Sequence, residues 1–254
     1  MKIGFFQHTL NLLSALPLLL KQPYSFINYN NKRIYYNNFN CIAIIEKNIK
    51  EVNQNKMEIY NNCDFFIDIG AHIGMKTILF NEVNPHVNCL AFEPNPITHK
   101  MLSRNTLANI RIAKYQRGIS NKRGKTRIFF DRDHLDTASI NQKHYPLLRN
   151  SKRKIESVEV PVNRLDDFYH LYTFKKNIYL KIDVESLERK VLQGAKKTLK
   201  NVKYLEIEIS QKDNLYLSDI FQLINGKFNL IEADFFYDST KYLPIATNLL
   251  FEFS

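Results

Sequence analysis

The chain has 254 residues, of which 44% are hydrophobic and 24% charged. That length and composition fit one folded domain, with or without an extension, and exclude a disordered tail or a glycine-rich low-complexity protein. The three cysteines, Cys41, Cys63 and Cys89, are odd in number and form no C-x-x-C pair. A disulfide framework and a structural zinc site are therefore not expected, and a reducing cytoplasmic setting is the simplest reading. Net charge is +11, and the excess is local: residues 121–154 carry ten basic side chains against three acidic ones. Such a stretch points either to an acidic partner or to a solvated basic surface.

Residues 3–20 are apolar, but Gln7, His8, Thr9, Asn11, Ser14 and Pro17 interrupt them. The pattern predicts a helix packed on the domain, neither a membrane span nor a signal peptide, with a helix lying on a membrane surface as the alternative. Ser25-Phe26-Ile27-Asn28-Tyr29 and Arg33-Ile34-Tyr35-Tyr36 flank Asn30-Asn31-Lys32 as a hairpin. Ala43 to Met57 reads as one helix, with Ile44, Ile45, Ile49 and Val52 on one side. Residues 1–62 thus form an extension packed on a core of residues 63–254.

From Cys63 onward, strands alternate with helices. Strands are expected at 64–69, 88–92, 110–116, 157–162, 177–184, 203–209, 228–232 and 248–253, with helices at 73–83, 96–109 and 187–199 among them. This alternation predicts a doubly wound, mostly parallel α/β sheet, and ligands of such sheets bind outside the carboxyl ends of the strands.

Three strand ends carry candidate chemistry. In Asp68-Ile69-Gly70-Ala71-His72-Ile73-Gly74, two of the seven glycines sit where a strand turns into a helix. Glycine there permits a tight turn and close ligand approach. The spacing is not the G-x-G-x-x-G of a nicotinamide dehydrogenase. In Phe92-Glu93-Pro94-Asn95-Pro96, Glu93 ends the next strand, placed to accept hydrogen bonds from two ribose hydroxyls. In Lys181-Ile182-Asp183-Val184-Glu185, the two acids share a face if the strand continues that far. They are candidates for acid/base work, against the plainer reading that Glu185 or Ser186 caps the next helix.

Together these segments resemble the FkbM-type family of S-adenosylmethionine-dependent methyltransferases. The resemblance extends through Arg164-Leu165-Asp166-Asp167-Phe168, Val191-Leu192-Gln193-Gly194-Ala195 and Glu206-Ile207-Glu208, covering about residues 64–210. It implies a class I methyltransferase-like, Rossmann-like sheet of seven strands, the last antiparallel. It implies S-adenosylmethionine as cofactor, with Asp68, Gly70, Ala71, His72 and Gly74 around its methionyl part, Glu93 and Asn95 by the ribose and Gly118 by the adenine. Asp183 and Glu185 would face the transferred methyl group, with His72 as another candidate base. It further implies O-methylation of a sugar, glycan or related small molecule, and no required metal. Ser186-Leu187 replaces the family's usual Gly-Ala, His72 replaces its usual Asn, and no acid follows the third strand at Arg117-Gly118-Ile119-Ser120. A nucleic-acid methyltransferase gripping phosphates with residues 122–154 is the weaker alternative, since Asp183-Val184-Glu185 offers no base-stacking aromatic. A catalytically inactive binding module on the same fold is the other.

Overall fold

The computed structural model describes residues 25–36, 40–131, 134–139, 155–185, 187–210, 217–224, 228–237 and 244–253. The helix expected at residues 3–20 lies outside them. Strands β1 (Ser25–Tyr29) and β2 (Lys32–Tyr36) pair antiparallel around Asn30 and Asn31. Both turn residues have positive φ, 44° and 61°, the backbone that a two-residue hairpin turn demands and asparagine tolerates.

The single helix expected over residues 43–57 is two, α1 (Asn40–Glu51) and α2 (Gln54–Asn61). Asn53 makes the break: its backbone is extended and its side chain accepts the Lys56 N–H at 2.8 Å, capping a new helix. Hairpin and α1 then bury Ile27, Ile34, Tyr36 and Ile45 against Ile73, Ile78, Leu79 and Met101. Asn105 fastens this contact, donating to the Tyr35 and Ile73 carbonyls and accepting from the Tyr35 N–H.

The core alternates as expected. After β3 (Phe65–Ile69) come α3 (Met75–Val83), β4 (Asn88–Phe92), α4 (Pro96–Asn105) and β5 (Ile112–Tyr115). A second set of strands follows: β6 (Gly118–Ile119), β7 (Gly124–Asp131), β8 (His134–Ser139) and β9 (Ile155–Asn163). The chain returns through β10 (Ile178–Ile182), α5 (Glu188–Gln193), β11 (Val202–Ser210), α6 (Leu217–Leu223), β12 (Phe228–Tyr237) and β13 (Pro244–Phe253). The seven-stranded sheet has the order β12-β13-β11-β10-β3-β4-β5, and β13 runs antiparallel to both neighbours. The last strand is thus the reversed one, as the resemblance implied.

The central strands β3 and β10 are buried throughout, as a sheet covered on both faces requires. One face packs Ile67, Ile69, Leu180, Ile182, Leu205 and Ile207. The other packs Phe66, Tyr179, Cys89 and Leu250, with the Phe66 ring stacked on Phe80 at 4.3 Å.

The basic stretch falls between the third and fourth parallel strands of the core, β5 and β10. Its described part belongs to a separate four-stranded sheet of order β6-β9-β7-β8, inserted between β5 and β10. Asp167 locks that insert to the core: Arg123 donates to it twice, at 2.8 and 2.9 Å, and Arg164 also bonds it. These guanidinium bonds hold the Asp167 carboxyl well below the usual range, although burial opposes them. Gly194 closes the other side, because a Cβ there would meet the Ser120 carbonyl at 2.1 Å. Among the described residues, no helix is long and apolar enough to cross a membrane.

Candidate functional site

The carboxyl ends of β3, β4, β10 and β11 converge on one cavity of about 420 Å³. Gly70 sets the first turn. Its φ is +83°, and a Cβ there would lie 1.7 Å from the Asp183 carbonyl oxygen. Only glycine fits, for both conformation and space. The turn is pinned on both sides: the Gly70 and Ala71 N–H groups donate to the Phe92 carbonyl at 2.9 and 3.0 Å, and the Asp183 N–H donates to the Ile69 carbonyl at 3.0 Å. His72 adopts φ 52°, a left-handed backbone that Asn and His both accept more readily than most residues.

Glu93 is buried at the pocket wall. Its Oε2 accepts the His72 N–H and its Oε1 the Asn95 N–H, each at 2.8 Å. Burial pushes its carboxyl up to about 7, even though these two N–H groups and the Thr98 hydroxyl favour the charged form. A carboxylate has about four acceptor sites, so two backbone bonds leave capacity for a ligand's hydroxyls.

The floor is charged. Asp68, Lys181 and Glu206 stand side by side on β3, β10 and β11. Lys181 Nζ lies 3.5 Å from Asp68 Oδ1 and 3.2 Å from Asp183 Oδ2. Burial alone would favour neutral Lys181, but the Asp183 and Asp68 carboxylates outweigh it and raise its affinity for the proton. Glu206 meets Lys56 at 3.0 Å and Lys76 at 3.1 Å and accepts the Tyr179 hydroxyl; Glu51 also pairs with Lys76. Burial opposes its ionisation, yet Lys56 and Lys76 bring the Glu206 carboxyl well below its usual range.

Of the nominated residues, Gly70, Ala71, His72, Glu93, Gly118, Asp183 and Glu185 line the cavity, and Asp68, Gly74 and Asn95 do not. Asp68 is fully buried; its Oδ2 takes the Thr77 hydroxyl at 2.6 Å, and its Oδ1 lies 3.5 Å from Lys181 Nζ. Gly74 packs beneath the turn, where a Cβ would meet Leu102 at 2.6 Å. Asn95 is buried as the cap of α4, accepting from the Ile97 N–H. The strand does not continue through Glu185: β10 ends at Ile182, and Glu185 has φ 51°. Alternation therefore does not place Asp183 and Glu185 on one face. Nor does Glu185 cap α5; Leu187 stands at the cap without a side-chain bond, and Glu188 accepts the Val184 N–H.

Three contributions were not foreseen. Glu208 lines the cavity near the carboxyl end of β11, 3.9 Å from Lys47. Helix α1 of the extension forms a wall through Ile44, Lys47, Asn48 and Glu51. Lys181 and Glu206 form part of the floor. The sequence signal for the last pair is a charge inside an otherwise apolar strand, as in Tyr179-Leu180-Lys181-Ile182. Four basic residues also line the cavity: Arg117 and Lys122 from the connections before and after β6, Lys125 from β7 and Lys190 from α5. Of the basic stretch, residues 140–154 lie outside the described residues.

The methyltransferase FkbM domain matches residues 68–232. The chain is 30% identical over 145 residues to "Methyltransferase 1" of Beauveria bassiana (strain ARSEF 2860), covering 51% of this chain and 57% of that one. It is 27% identical over 154 residues to "Methyltransferase sdnD" of Sordaria araneosa, covering 51% and 60%. The matches thus span less than two thirds of either relative. Among solved structures, M. jannaschii TYW2 in complex with AdoMet is similar with a TM-score of 0.43 and 13% identity, over 91% of this chain and 87% of that one. The domain match covers well over half of the chain and includes the strand ends that build this cavity: the protein belongs to the methyltransferase FkbM domain family, whose cofactor is S-adenosylmethionine.

Proposed function

We propose that the protein transfers a methyl group from S-adenosylmethionine to a hydroxyl of a sugar, glycan or related small molecule bearing negative charge. The observation that carries this reading is the shared cavity: Glu93 and Asp183 line one space of about 420 Å³ at the carboxyl ends of parallel strands. The residues present fit the cofactor. Glu93 keeps free acceptor capacity toward ribose hydroxyls, the Gly70-Ala71-His72 turn gives backbone access, and Asp183, Glu185 and Glu208 suit a ligand carrying positive charge. When bound, the cofactor supplies an activated methyl group on a positively charged sulfur.

The remaining work falls to the chain. Asp183, half-buried and held by Lys181 at 3.2 Å, orients the acceptor hydroxyl and receives its proton. Gly118, at the β6 end of the cavity, lies where the adenine is received. Arg117, fixed by Asn163 at 2.8 Å, and the exposed Lys122 and Lys190 attract an acidic acceptor at the rim. Leu187 narrows the entrance beside Asp183. The three cysteines are buried free thiols, which supports a reducing, cytoplasmic setting.

The test is an untargeted comparison of methylated glycans and small metabolites in cells with and without the gene. A methyl ether that disappears with the gene and returns with wild-type protein, but not with Asp183→Asn, is the expected outcome. Loss of a methylated nucleoside instead, with no change in glycans, would overturn the acceptor class.

A further inference from the structure

The β10–β11 register pairs Lys181 with Glu206 and Ile182 with Ile207, so Asp183, the first residue past the end of β10, follows beside Glu208 of β11, and its charge is the strongest acting on Glu208. Both line the cavity. Two neighbouring carboxylates repel, and the available cations are divided unequally between them. Asp183 has Lys181 at 3.2 Å, whereas Glu208 has Lys47 at 3.9 Å, and Lys47 is shared with Glu51 at 3.8 Å. From β13 the residue opposite Glu208 is the neutral Asn248, and along its own strand Glu206 is taken up by Lys56 and Lys76.

We propose that Asp183 and Glu208 form one acid–base pair in which Glu208 holds a proton until a cationic ligand enters the cavity, and that its release leaves Glu208 as a second base beside Asp183. This rests on the reading that the cavity takes S-adenosylmethionine. The field of Asp183, with burial in second place, raises the Glu208 carboxyl to about 7, and Lys47 and Lys181 offset this only in part. A positive charge brought near the pair favours the ionised form and expels the proton to solvent. During transfer, the acceptor's O–H bond breaks toward a carboxylate oxygen of the pair. The oxygen's electron pair forms the new C–O bond, the electrons of the broken C–S bond remain on sulfur, and the pair later yields its proton to water.

The experiment is isothermal calorimetry near pH 6.5, in buffers of different protonation enthalpy, on the full chain with S-adenosylmethionine and with its demethylated thioether product. Glu93 also titrates near 7, but it meets the same ribose in both ligands, so its contribution cancels between them. Wild type is expected to release at least about half a proton more with the sulfonium ligand than with the thioether. Glu208→Gln should bind both ligands with the difference abolished, and Asp183→Asn should shrink it. Equal release for both ligands in wild type, or an undiminished difference in Glu208→Gln, would overturn the pair alone. Absence of binding by wild type would overturn the cofactor reading and the pair with it.

Discussion

Replacing Glu93 with glutamine separates the energy of burying a charge from the binding that the charge serves. The Glu93 carboxyl stands at about 7 in the folded chain, against an ordinary 4.5, because burial outweighs the N–H of Asn95, the hydroxyl of Thr98 and the N–H of His72. At about 1.4 kcal/mol per pH unit, that gap is worth roughly 3 kcal/mol. The folded chain holds this proton more tightly than the unfolded chain. The contribution is therefore complete below about pH 4.5 and is lost as the pH rises through 7. The Glu93→Gln substitution removes the titration. The amide keeps one acceptor oxygen for one backbone N–H but turns its NH₂ toward the other, a mismatch of about 1–3 kcal/mol at every pH. The variant should therefore be less stable than wild type at pH 5 and close to it at pH 8. Cofactor affinity should fall by about 1.5–3 kcal/mol, roughly 10- to 150-fold, as loss of charge-assisted bonds to hydroxyls dictates. Urea unfolding at the two pH values gives the first quantity and calorimetry the second. A stability difference that does not change with pH, together with wild-type affinity, would refute both the buried charge and its role.

Further outcomes follow from named contacts. Gly70→Ala must leave the left-handed backbone or push the Asp183 carbonyl away, and should cost about 2–5 kcal/mol in urea unfolding while weakening cofactor binding; wild-type stability would show that the β3 and β10 ends are not locked there. Asp183→Asn should fold normally and cut single-turnover methyl transfer about a hundredfold or more; transfer within a few-fold of wild type would exclude Asp183 as base and turn attention to Glu208 and His72. Raising salt should weaken acceptor binding more than cofactor binding, because Lys122 and Lys190 are exposed at the rim; equal sensitivity would argue against an acidic acceptor.

What was legible in the sequence is what local pattern encodes. Phe65 to Ile69 and Ile178 to Ile182 are short apolar runs ending in Gly70 and Asp183, and each reads as a buried strand whose end faces a crevice. The place of Glu93 at the cavity was legible because it stands at the end of the strand that follows the Gly70 turn. The burial of Asp68 was not legible, because its position in the motif says nothing about which way its side chain faces. Only the strand order sets it beside Lys181, where it is fully buried. Glu208 was missed for the same reason: its neighbour Asp183 follows the end of a different strand, and the adjacency is created by sheet topology. The second sheet was hidden because β7 alternates Lys125 and Arg127 with Ile128 and Phe130, so the charge of its exposed face was legible while the buried face beneath it was not. The break at Asn53 escaped because apolar periodicity runs on past it, and a single side-chain cap overrides that pattern.

The binding and transfer outcomes above depend on S-adenosylmethionine binding in the cavity at the ends of β3, β4 and β10, through Glu93 and the Gly70 turn. Equilibrium dialysis of labelled S-adenosylmethionine against folded wild type and folded Glu93→Ala tests it most directly. Wild type should bind one cofactor per chain saturably, and the variant should bind about 5- to 150-fold more weakly, or by about 1–3 kcal/mol. No binding by a wild-type sample whose fold is verified, or equal binding by the two proteins, would contradict it.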